Sequence, residues 1–444
     1  MSLVRPGALD ARVARMADAL AAARPRHRVV GLIADNGPDW VVADLAAQKA
    51  GLVLVPLPAF FTSEQLVHAA AASGMDTLLG AALPGFEAAP RIEGFSCWRR
   101  RAAPGRRSRG TSKITFTSGT TGAPKGVALR AAQQWAVARA VAEATRELRL
   151  RRHLCLLPLS VLLENVGGVY APLSAGMQFC VPPLAEVGMR GSSGFDPIAC
   201  LAAIERWQPD SVILLPQMLA ALTAALEQGA RAPRSLRFAA VGGAKVSTAL
   251  IERARSLGLP VYEGYGLSEC ASVVALNVPG ADRPGSVGRP LPHARVRIER
   301  NEILVRTGRR WRATGDLGRL DAGGFLHIEG RRKHVLITSF GRNVSPEWPE
   351  AELLAGRAIA QAAVFGEARP QLCALVVPAP GARAAAVDAQ VRAANARLPD
   401  YAQIGAWLSA DAPFTLQNGF ATANGRARRE ALWQAYGSRL DGLL

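Results

Sequence analysis

Short apolar runs that alternate with helical stretches are the feature that most restricts the fold of this chain. Residues 29–34 and 52–57 have the pattern of buried strands, and residues 40–49 between them have that of a helix. The pattern returns in the apolar runs at residues 113–117, 153–157, 178–182, 211–215 and 238–241. Strands that alternate with helices form parallel sheets covered by helices. The sequence therefore predicts an α/β fold.

The pattern changes towards the C-terminus. From residue 294 to residue 328 short strands alternate with turns, and residues 321–324 have the composition of a hairpin turn. The last hundred or so residues then predict strands at 362–365 and 372–377 and a helix at 388–398. A chain of 444 residues is too long for one ordinary domain. We expect a large multi-subdomain N-terminal α/β body with parallel sheets and a small β subregion (1–329), and a small mobile α+β lid (330–444).

Composition excludes several classes of protein. The chain is 49% hydrophobic and 20% charged, as in folded globular proteins, and it has no run of about 18 apolar residues that could span a membrane. Its first residues lack the apolar core of a secretory signal, so we expect a cytoplasmic location. The scattered cysteines indicate buried thiols rather than disulfides or a metal cage. They are Cys97, Cys155, Cys180, Cys200, Cys270 and Cys373.

The net charge of +18 comes mainly from arginine, because only five of the 53 basic residues are lysines. Codon bias explains such an excess, and the alternative is attraction to anionic nucleotides, CoA, a carrier protein or lipid headgroups. Residues 91–110 contain seven arginines among Pro and Gly, which predicts a solvated loop. Only Phe95 and Trp98 could stack on bases there, so we expect no nucleic-acid partner.

A dense group of hydroxyl-bearing residues and glycines follows the predicted strand that ends at Phe116. Glycines let backbone N–H groups approach phosphate closely, the hydroxyls add hydrogen-bond donors, and a lysine adds a mobile positive charge. The Gly-Lys-Ser/Thr ending of a Walker A loop is absent. The segment predicts a different phosphate-binding loop, with an ordinary turn as the alternative. Its members are Thr117, Ser118, Gly119, Thr120, Thr121, Gly122 and Lys125.

Further motifs follow in order along the chain. Two of them, residues 241–244 and 262–269, come directly after apolar strands, where open α/β sheets carry their ligand loops. The third is Thr-Gly-Asp at 314–316, whose carboxylate can accept hydrogen bonds from two hydroxyls. The fourth is Gly-Arg-Arg-Lys at 330–333.

These motifs together resemble the adenylate-forming superfamily, which includes acyl-CoA synthetases, luciferases and the adenylation domains of peptide synthetases. The fatty-acyl-CoA ligase-like members are the most similar. The resemblance implies that the chain is an AMP-forming acid–thiol ligase, which activates a fatty or other hydrophobic carboxylic acid with ATP and Mg²⁺ and releases pyrophosphate. The acyl group of the acyl-AMP would pass to the thiol of CoA, or alternatively to the phosphopantetheine of an acyl carrier protein.

The resemblance also assigns roles to residues. Tyr265 would stack on adenine, Ser268 would approach the α-phosphate, and Glu269 would hold Mg²⁺. Asp316 and Arg331 would bind the ribose. Besides these and the phosphate loop, the predicted ATP and AMP contacts are Gly242, Gly243, Ala244, Glu263, Gly264 and Gly266. Lys333 would be the interdomain hinge, and the lid loop for the thiol half-reaction would be Ser339, Phe340, Gly341, Arg342 and Asn343.

Two departures from the family pattern bear on activity. Arg426 stands where the family has its late catalytic lysine, which bridges substrate carboxylate and phosphate. The predicted catalytic residues are therefore Lys125, Glu269 and Arg426. Because arginine is a planar fork and lysine a compact ammonium, a catalytically weak adenylate-binding protein is an alternative.

The second departure concerns the predicted acyl pocket. The family places a pocket-lining segment at residues 157–168, often with a histidine or an aromatic residue, and here that segment is mostly Leu and Val. The predicted pocket residues are Leu159, Val161, Asn165 and Gly168. The beginning of a buried core helix would have the same pattern.

Overall fold

The protein is described by a computed structural model that covers residues 2–443 except 24, 26, 102–104, 106–107, 118–123, 192–193, 341 and 423–424. Short apolar strands and the helices between them form the N-terminal part. Its first elements are β1 (Leu3–Val4), α1 (Asp10–Ala22), β2 (Val29–Ile33), α2 (Pro38–Lys49), β3 (Val53–Pro56), α3 (Ser63–Ser73), β4 (Thr77–Gly80), β5 (Glu87–Ile92), β6 (Phe95–Arg99), β7 (Lys113–Thr117) and β8 (Lys125–Leu129).

Seven of these strands form one sheet, in the order β5-β6-β4-β2-β3-β7-β8. The inner strands β4, β2, β3 and β7 are parallel. At one edge β7 and β8 pair antiparallel, so Thr117 lies opposite Lys125. The two ends of the predicted phosphate loop therefore meet at the end of this strand pair.

A second sheet follows, with eight strands in the order β1-β10-β9-β13-β14-β15-β16-β17. Strands β10, β9, β13, β14 and β15 run parallel, and the apolar strand β13 is fully buried, as expected for a strand covered on both faces. The elements of this part are α4 (Ala131–Ala144), β9 (Arg152–Leu154), α5 (Leu162–Glu164), α6 (Ala171–Ala175), β10 (Gln178–Cys180), β11 (Met189–Arg190), β12 (Gly194–Phe195), α7 (Pro197–Trp207), β13 (Ser211–Leu214), α8 (Pro216–Glu227), β14 (Phe238–Val241), α9 (Thr248–Ser256), β15 (Val261–Leu267), β16 (Ser272–Leu276) and β17 (Arg289–Pro290).

The last third of the chain contains smaller sheets. Strands β18 to β21 form an antiparallel four-stranded sheet, and β24, β25 and β26 form a three-stranded sheet packed with helices. The elements are β18 (Arg295–Glu299), β19 (Glu302–Arg306), β20 (Arg312–Leu320), β21 (Leu326–Arg331), β22 (Leu336–Ile337), β23 (Asn343–Val344), α10 (Glu347–Leu353), β24 (Ile359–Phe365), β25 (Leu372–Pro378), α11 (Ala384–Asn395), β26 (Ile404–Ser409) and α12 (Arg429–Asp441).

This architecture confirms the predicted fold class: an α/β body with parallel sheets, a small β subregion and a C-terminal α+β domain. The prediction of a solvated loop at residues 91–110 is wrong for the first half of this range. Residues 95–99 form β6, which pairs with both β4 and β5. The reason is that Cys97 is buried between these neighbours while the arginines stand at the end of the strand.

All six cysteines are buried free thiols, as predicted. Three of them, Cys155, Cys180 and Cys200, belong to the second sheet and its α7 cover, where burial raises the pKa of each thiol. Across the described residues, every helix is too short or too polar to cross a membrane.

Candidate functional site

Residues 242–244, three of the predicted ATP and AMP contacts and here named the adenine turn, follow β14 at the carboxyl end of the second sheet. Gly243 has φ +88°, in the left-handed region that favours glycine. The next strand, β15, carries Tyr265 and Gly266, and its pairing with β16 is irregular between these two residues. A Cβ on Gly266 would lie 2.1 Å from the carbonyl oxygen of Ser272, so the strands can approach this closely only at a glycine. The adenine turn and the Tyr265–Gly266 part of β15 thus lie at the same end of the sheet.

Asp316 is the centre of the most complete hydrogen-bonded group in this region. The Tyr265 hydroxyl donates to Oδ2 of Asp316 at 2.5 Å, and Nε of Arg331 lies 2.7 Å from its Oδ1. Asp316 is only 4% exposed. Burial, and then the negative charge of Asp316, raise the pKa of Tyr265, which keeps its hydroxyl protonated as a donor. The structure therefore brings together three residues that the resemblance placed around the nucleoside.

Two titratable side chains close to the adenine turn, the buried Glu263 on β15 and the partly buried Lys245, influence each other electrostatically. Burial raises the pKa of Glu263 to about 8, and the positive charge of Lys245 opposes this rise. Burial lowers the pKa of Lys245, whose ammonium group donates to the Ile328 carbonyl oxygen at 3.0 Å. The sequence analysis missed Lys245, although a lysine directly after the glycine turn in so arginine-rich a chain was an available signal.

Arg426 reaches the same turn from the C-terminal part of the chain. Its guanidinium Nη2 donates to the carbonyl oxygen of Gly243, which lies 183 positions away. The charges of Arg331 and Asp316 both influence the Arg426 guanidinium, and the pKa of Arg426 is lowered by desolvation first and by Arg331 second. The structure thus places Arg426 close to Asp316 and Arg331, two of the residues predicted to bind the nucleoside.

The predicted phosphate and metal residues are described in part. Ser118, Gly119, Thr120, Thr121 and Gly122 lie outside the described residues. Lys125 is exposed at the start of β8.

The predicted metal residue lies close to this strand. Strand β8 packs against the single turn Ser268–Cys270, which carries Ser268 and the half-buried Glu269. A carboxylate is the hard oxygen ligand that Mg²⁺ favours, so Glu269 is chemically suited to its predicted role.

The hinge and the lid loop lie beyond β21. Lys333 is exposed in the turn Arg332–His334. The lid loop connects β22 to β23 as a small hairpin in which the amide N–H of Thr338 donates to the Arg342 carbonyl oxygen at 3.0 Å. The side chain of Phe340 is 75% exposed, and Gly341 lies outside the described residues. Among the described residues of the C-terminal part, Arg426 contacts the adenine turn.

The predicted acyl-pocket residues divide into two groups. Leu159 and Asn165 are each 1% exposed, and Asn165 contacts the buried ammonium group of Lys113 and donates to Asp44 at 2.8 Å. Gly168 packs so closely that an added Cβ would lie 2.1 Å from Oε1 of Glu164.

These contacts favour the core-helix alternative for Leu159, Asn165 and Gly168. Val161, which is partly exposed, remains the accessible member of the predicted pocket. Residues 165–170 form a π-helical turn between α5 and α6, a feature often found near functional sites.

Contacts between the N-terminal body and the C-terminal part were also missed. Glu227 accepts from Arg253 at 2.9 Å and from Nε of Arg357 at 2.5 Å. Ser247, which is buried, donates to the Glu352 carboxylate at 3.1 Å. The Glu227–Arg357 and Ser247–Glu352 pairs join residues 130 and 105 positions apart, and no local pattern of the sequence indicates them.

Comparison with known proteins agrees with this geometry. The AMP-binding enzyme family matches residues 7–309, and its C-terminal domain matches residues 333–443. The long-chain-fatty-acid–CoA ligase FadD15 of Mycobacterium bovis is 31% identical over 250 residues, which are 47% of this chain and 42% of that protein. The feruloyl-CoA synthase of an Amycolatopsis species is 29% identical over 430 residues, 84% of each protein. The chain therefore spans less than half the length of the first of these relatives.

A solved structure extends the similarity to most of the chain. The o-succinylbenzoate–CoA synthetase MenE of Bacillus subtilis, in complex with ATP and a magnesium ion, superposes with a TM-score of 0.74 at 25% identity. The match covers 95% of this chain and 93% of that protein. With a family match over most of its length, the chain belongs to the AMP-binding enzyme family.

Proposed function

We propose that this protein activates a carboxylic acid with Mg·ATP to acyl-AMP and pyrophosphate, and then transfers the acyl group to the thiol of CoA. The observation that carries the proposal is the arrangement of Tyr265, Asp316 and Arg331 beside the adenine turn, with Arg426 reaching into it. A nucleotide bound there would have its reacting α-phosphate close to the Arg426 guanidinium.

The proposed chemistry depends on positioning and charge neutralisation. The acid's carboxylate oxygen forms a bond to the α-phosphorus as the bond to pyrophosphate breaks, so negative charge moves onto the leaving group. Preorganised cations stabilise such a charge, as in other phosphorus transfers. Arg426 and Lys125 would supply the cations, and Glu269 would hold the Mg²⁺ that accompanies ATP. Asp316 and Arg331 would hold the ribose.

The proposed acid is hydrophobic. The accessible member of the predicted acyl pocket is Val161, whose apolar side chain favours contact with a hydrophobic acid. Relatives of the chain act on fatty acid, ferulate and o-succinylbenzoate, and a hydrophobic part is common to these acids. We propose CoA as the acceptor because the matched relatives are named as CoA ligases.

The direct test is product analysis by mass spectrometry. Purified protein is incubated with Mg·ATP, CoA and a panel of fatty, aromatic and dicarboxylic acids. We expect an acyl-CoA that requires both ATP and CoA, from hydrophobic acids first. Acyl-AMP that accumulates without any thioester would refute CoA as the acceptor, and a second arm with phosphopantetheinylated carrier protein would then identify the alternative acceptor.

A further inference from the structure

Arg426 lies on a short loop that leads directly into α12. The loop is closed by an antiparallel bridge between Ala421 and Ala427, and the Thr422 amide donates to the Arg426 carbonyl oxygen at 2.7 Å. The Arg428 amide donates to the Phe420 carbonyl oxygen at 2.8 Å. These contacts hold residues 420–422 against residues 426–428, so the placement of Arg426 depends on what holds the first turn of α12.

A cluster of charged side chains holds that turn. Both Oε atoms of Glu350 accept hydrogen bonds from Nη2 of Arg429, at 2.5 and 2.6 Å. Nη1 of the same guanidinium lies 3.5 Å from Oε1 of Glu347. Both carboxylates come from α10, so Arg429 ties α12 to α10 only three residues after Arg426.

The cluster extends to the hinge. His334, in the turn directly after Lys333, contacts Glu347 through Nδ1. Ser345 donates to the other oxygen of Glu347 at 2.7 Å. One connected group thus joins the predicted hinge, α10 and the loop that carries Arg426.

Arg429 is central to this group because its neighbours depend on its charge. Side-chain exposure is 18% for Arg429 and 12% for Glu350. Burial raises the pKa of Glu350 to about 7, and the positive charge of Arg429 is the main influence that opposes it. Removing the guanidinium would leave Glu350 buried without its main cation, a change that disturbs the local packing of α10 and α12.

We infer that Arg429 is the residue that positions Arg426 at the adenine turn for the adenylation step. Arg429 itself need not touch the nucleotide, since its effect passes through the loop. A guanidinium in place of the usual ammonium makes placement more demanding, because a planar fork must also be oriented. A misplacement of about 1 Å at a reacting centre can lower a rate by about 100-fold. The inference rests on the proposed function.

The experiment separates the two half-reactions. Arg429→Met is expected to lower kcat for acid-dependent pyrophosphate release by about 10- to 100-fold, with KM for ATP nearly unchanged. Thioester formation from supplied synthetic acyl-AMP and CoA should keep its wild-type rate, because that step does not require Arg426 at the turn. Arg429→Lys keeps the positive charge but loses the planar guanidinium. Its rate of pyrophosphate release should fall between those of the wild type and Arg429→Met.

The matched control lies on the same helix. Arg439 also pairs with a carboxylate, that of Asp411, but both side chains are largely exposed. Arg439→Met should leave both half-reactions at their wild-type rates. Thermal unfolding of every variant shows whether a lost rate is simply lost folded protein.

A double-mutant cycle decides whether Arg429 acts through Arg426. In the Arg426→Ala background, Arg429→Met should cause little further loss of adenylation, because the residue that it positions is already gone. Losses that multiply would overturn the inference, and so would an equal loss in both half-reactions. Failure of the proposed function would be distinct, since the wild-type protein would then release no pyrophosphate with any acid.

Discussion

Asp316 and Arg331 lie opposite each other on the neighbouring strands β20 and β21, and Nε of Arg331 is 2.7 Å from Oδ1 of Asp316. The other carboxylate oxygen accepts from Tyr265 at 2.5 Å. An ionised carboxylate has about four lone-pair sites, so these two partners orient Asp316 and still leave sites for ribose hydroxyls. In the proposed function, this pairing would orient the Asp316 carboxylate before a nucleotide binds.

Asp316→Asn is expected to weaken ATP binding more than Tyr265→Phe. The asparagine loses the charged acceptor, which costs about 1.5–3 kcal/mol, or roughly 10- to 100-fold in the dissociation constant. The phenylalanine keeps the ring for stacking and loses only the hydroxyl. Calorimetric titration with ATP measures both changes. The control is Asp411→Asn, in an exposed pair with Arg439, and affinities unaffected by Asp316→Asn would contradict the ribose role.

Arg426→Lys is expected to lower the rate of adenylation. The structure shows the arginine fork reaching the Gly243 carbonyl, so the chain around it suits a guanidinium, and a shorter ammonium would lose that contact. Arg426→Ala should cost more, on the order of 10²–10³ in kcat. Pyrophosphate release at saturating ATP and acid measures the rates. A faster lysine variant would show that arginine is an impairment, and the family's usual lysine would then be the better catalyst here.

Glu227→Gln is expected to loosen the contact between the two parts of the chain. Glu227 is largely buried and shared by Arg253 and Arg357, so its loss leaves two guanidinium groups without their carboxylate, at a cost of about 1–3 kcal/mol. Glu186→Gln removes a more exposed partner of Arg206 and should cost less than about 1 kcal/mol. Thermal unfolding and limited proteolysis between residues 330 and 346 measure the difference. Equal behaviour of the two variants would show that the contact contributes little.

Glu263→Gln is expected to remove a pH dependence of stability. Because the pKa of Glu263 is raised to about 8 in the folded protein, the folded state binds the proton more tightly than the unfolded state, whose pKa is near 4.5. Stability from this group is complete below about pH 4.5 and is lost as the pH rises through 8, by roughly 5 kcal/mol at most.

Unfolding of the wild type and of Glu263→Gln is followed by calorimetry from pH 5 to pH 8. As the pH rises from 5 to 8, the free energy of unfolding of the wild type should fall relative to that of Glu263→Gln. Lys245 and Asp282 both influence Glu263, so Lys245→Met should shift the transition to higher pH. A constant difference between wild type and variant would contradict the raised pKa.

The sequence predicts much of the fold because the apolar runs are long and strongly patterned. β14 has the predicted bounds of residues 238–241, and most other strands differ from the prediction only at their ends. The pattern fails at residues 95–99, where arginines at one end of a strand hide an alternation that buries Cys97. Charge at the end of a strand says little about its middle.

Only some residues of the candidate site could be predicted from the sequence, and the reason is physical. Tyr265 and Asp316 are 51 positions apart, and together with Arg331 they were expected near one nucleoside only because the resemblance to the family assigns them there. Lys245, Arg429 and Glu350 act through contacts between distant segments, which no local spacing encodes. The predicted acyl-pocket residues could not be sorted from the sequence either, because the wall of a pocket and the start of a buried helix have the same apolar pattern. The exposure of each side chain in the structure is what distinguishes the partly exposed Val161 from the buried Asn165.

The most direct test of the central claim is acid-dependent exchange of labelled pyrophosphate into ATP by the purified wild-type protein with Mg²⁺. Exchange reports reversible formation of enzyme-bound acyl-AMP and needs no acceptor thiol. The proposed function predicts exchange that requires a hydrophobic acid and falls strongly in Arg426→Ala. An ATP-binding protein that supports no exchange with any acid of the panel would contradict it, and the chain would then be a family member that binds the nucleotide without activating an acid.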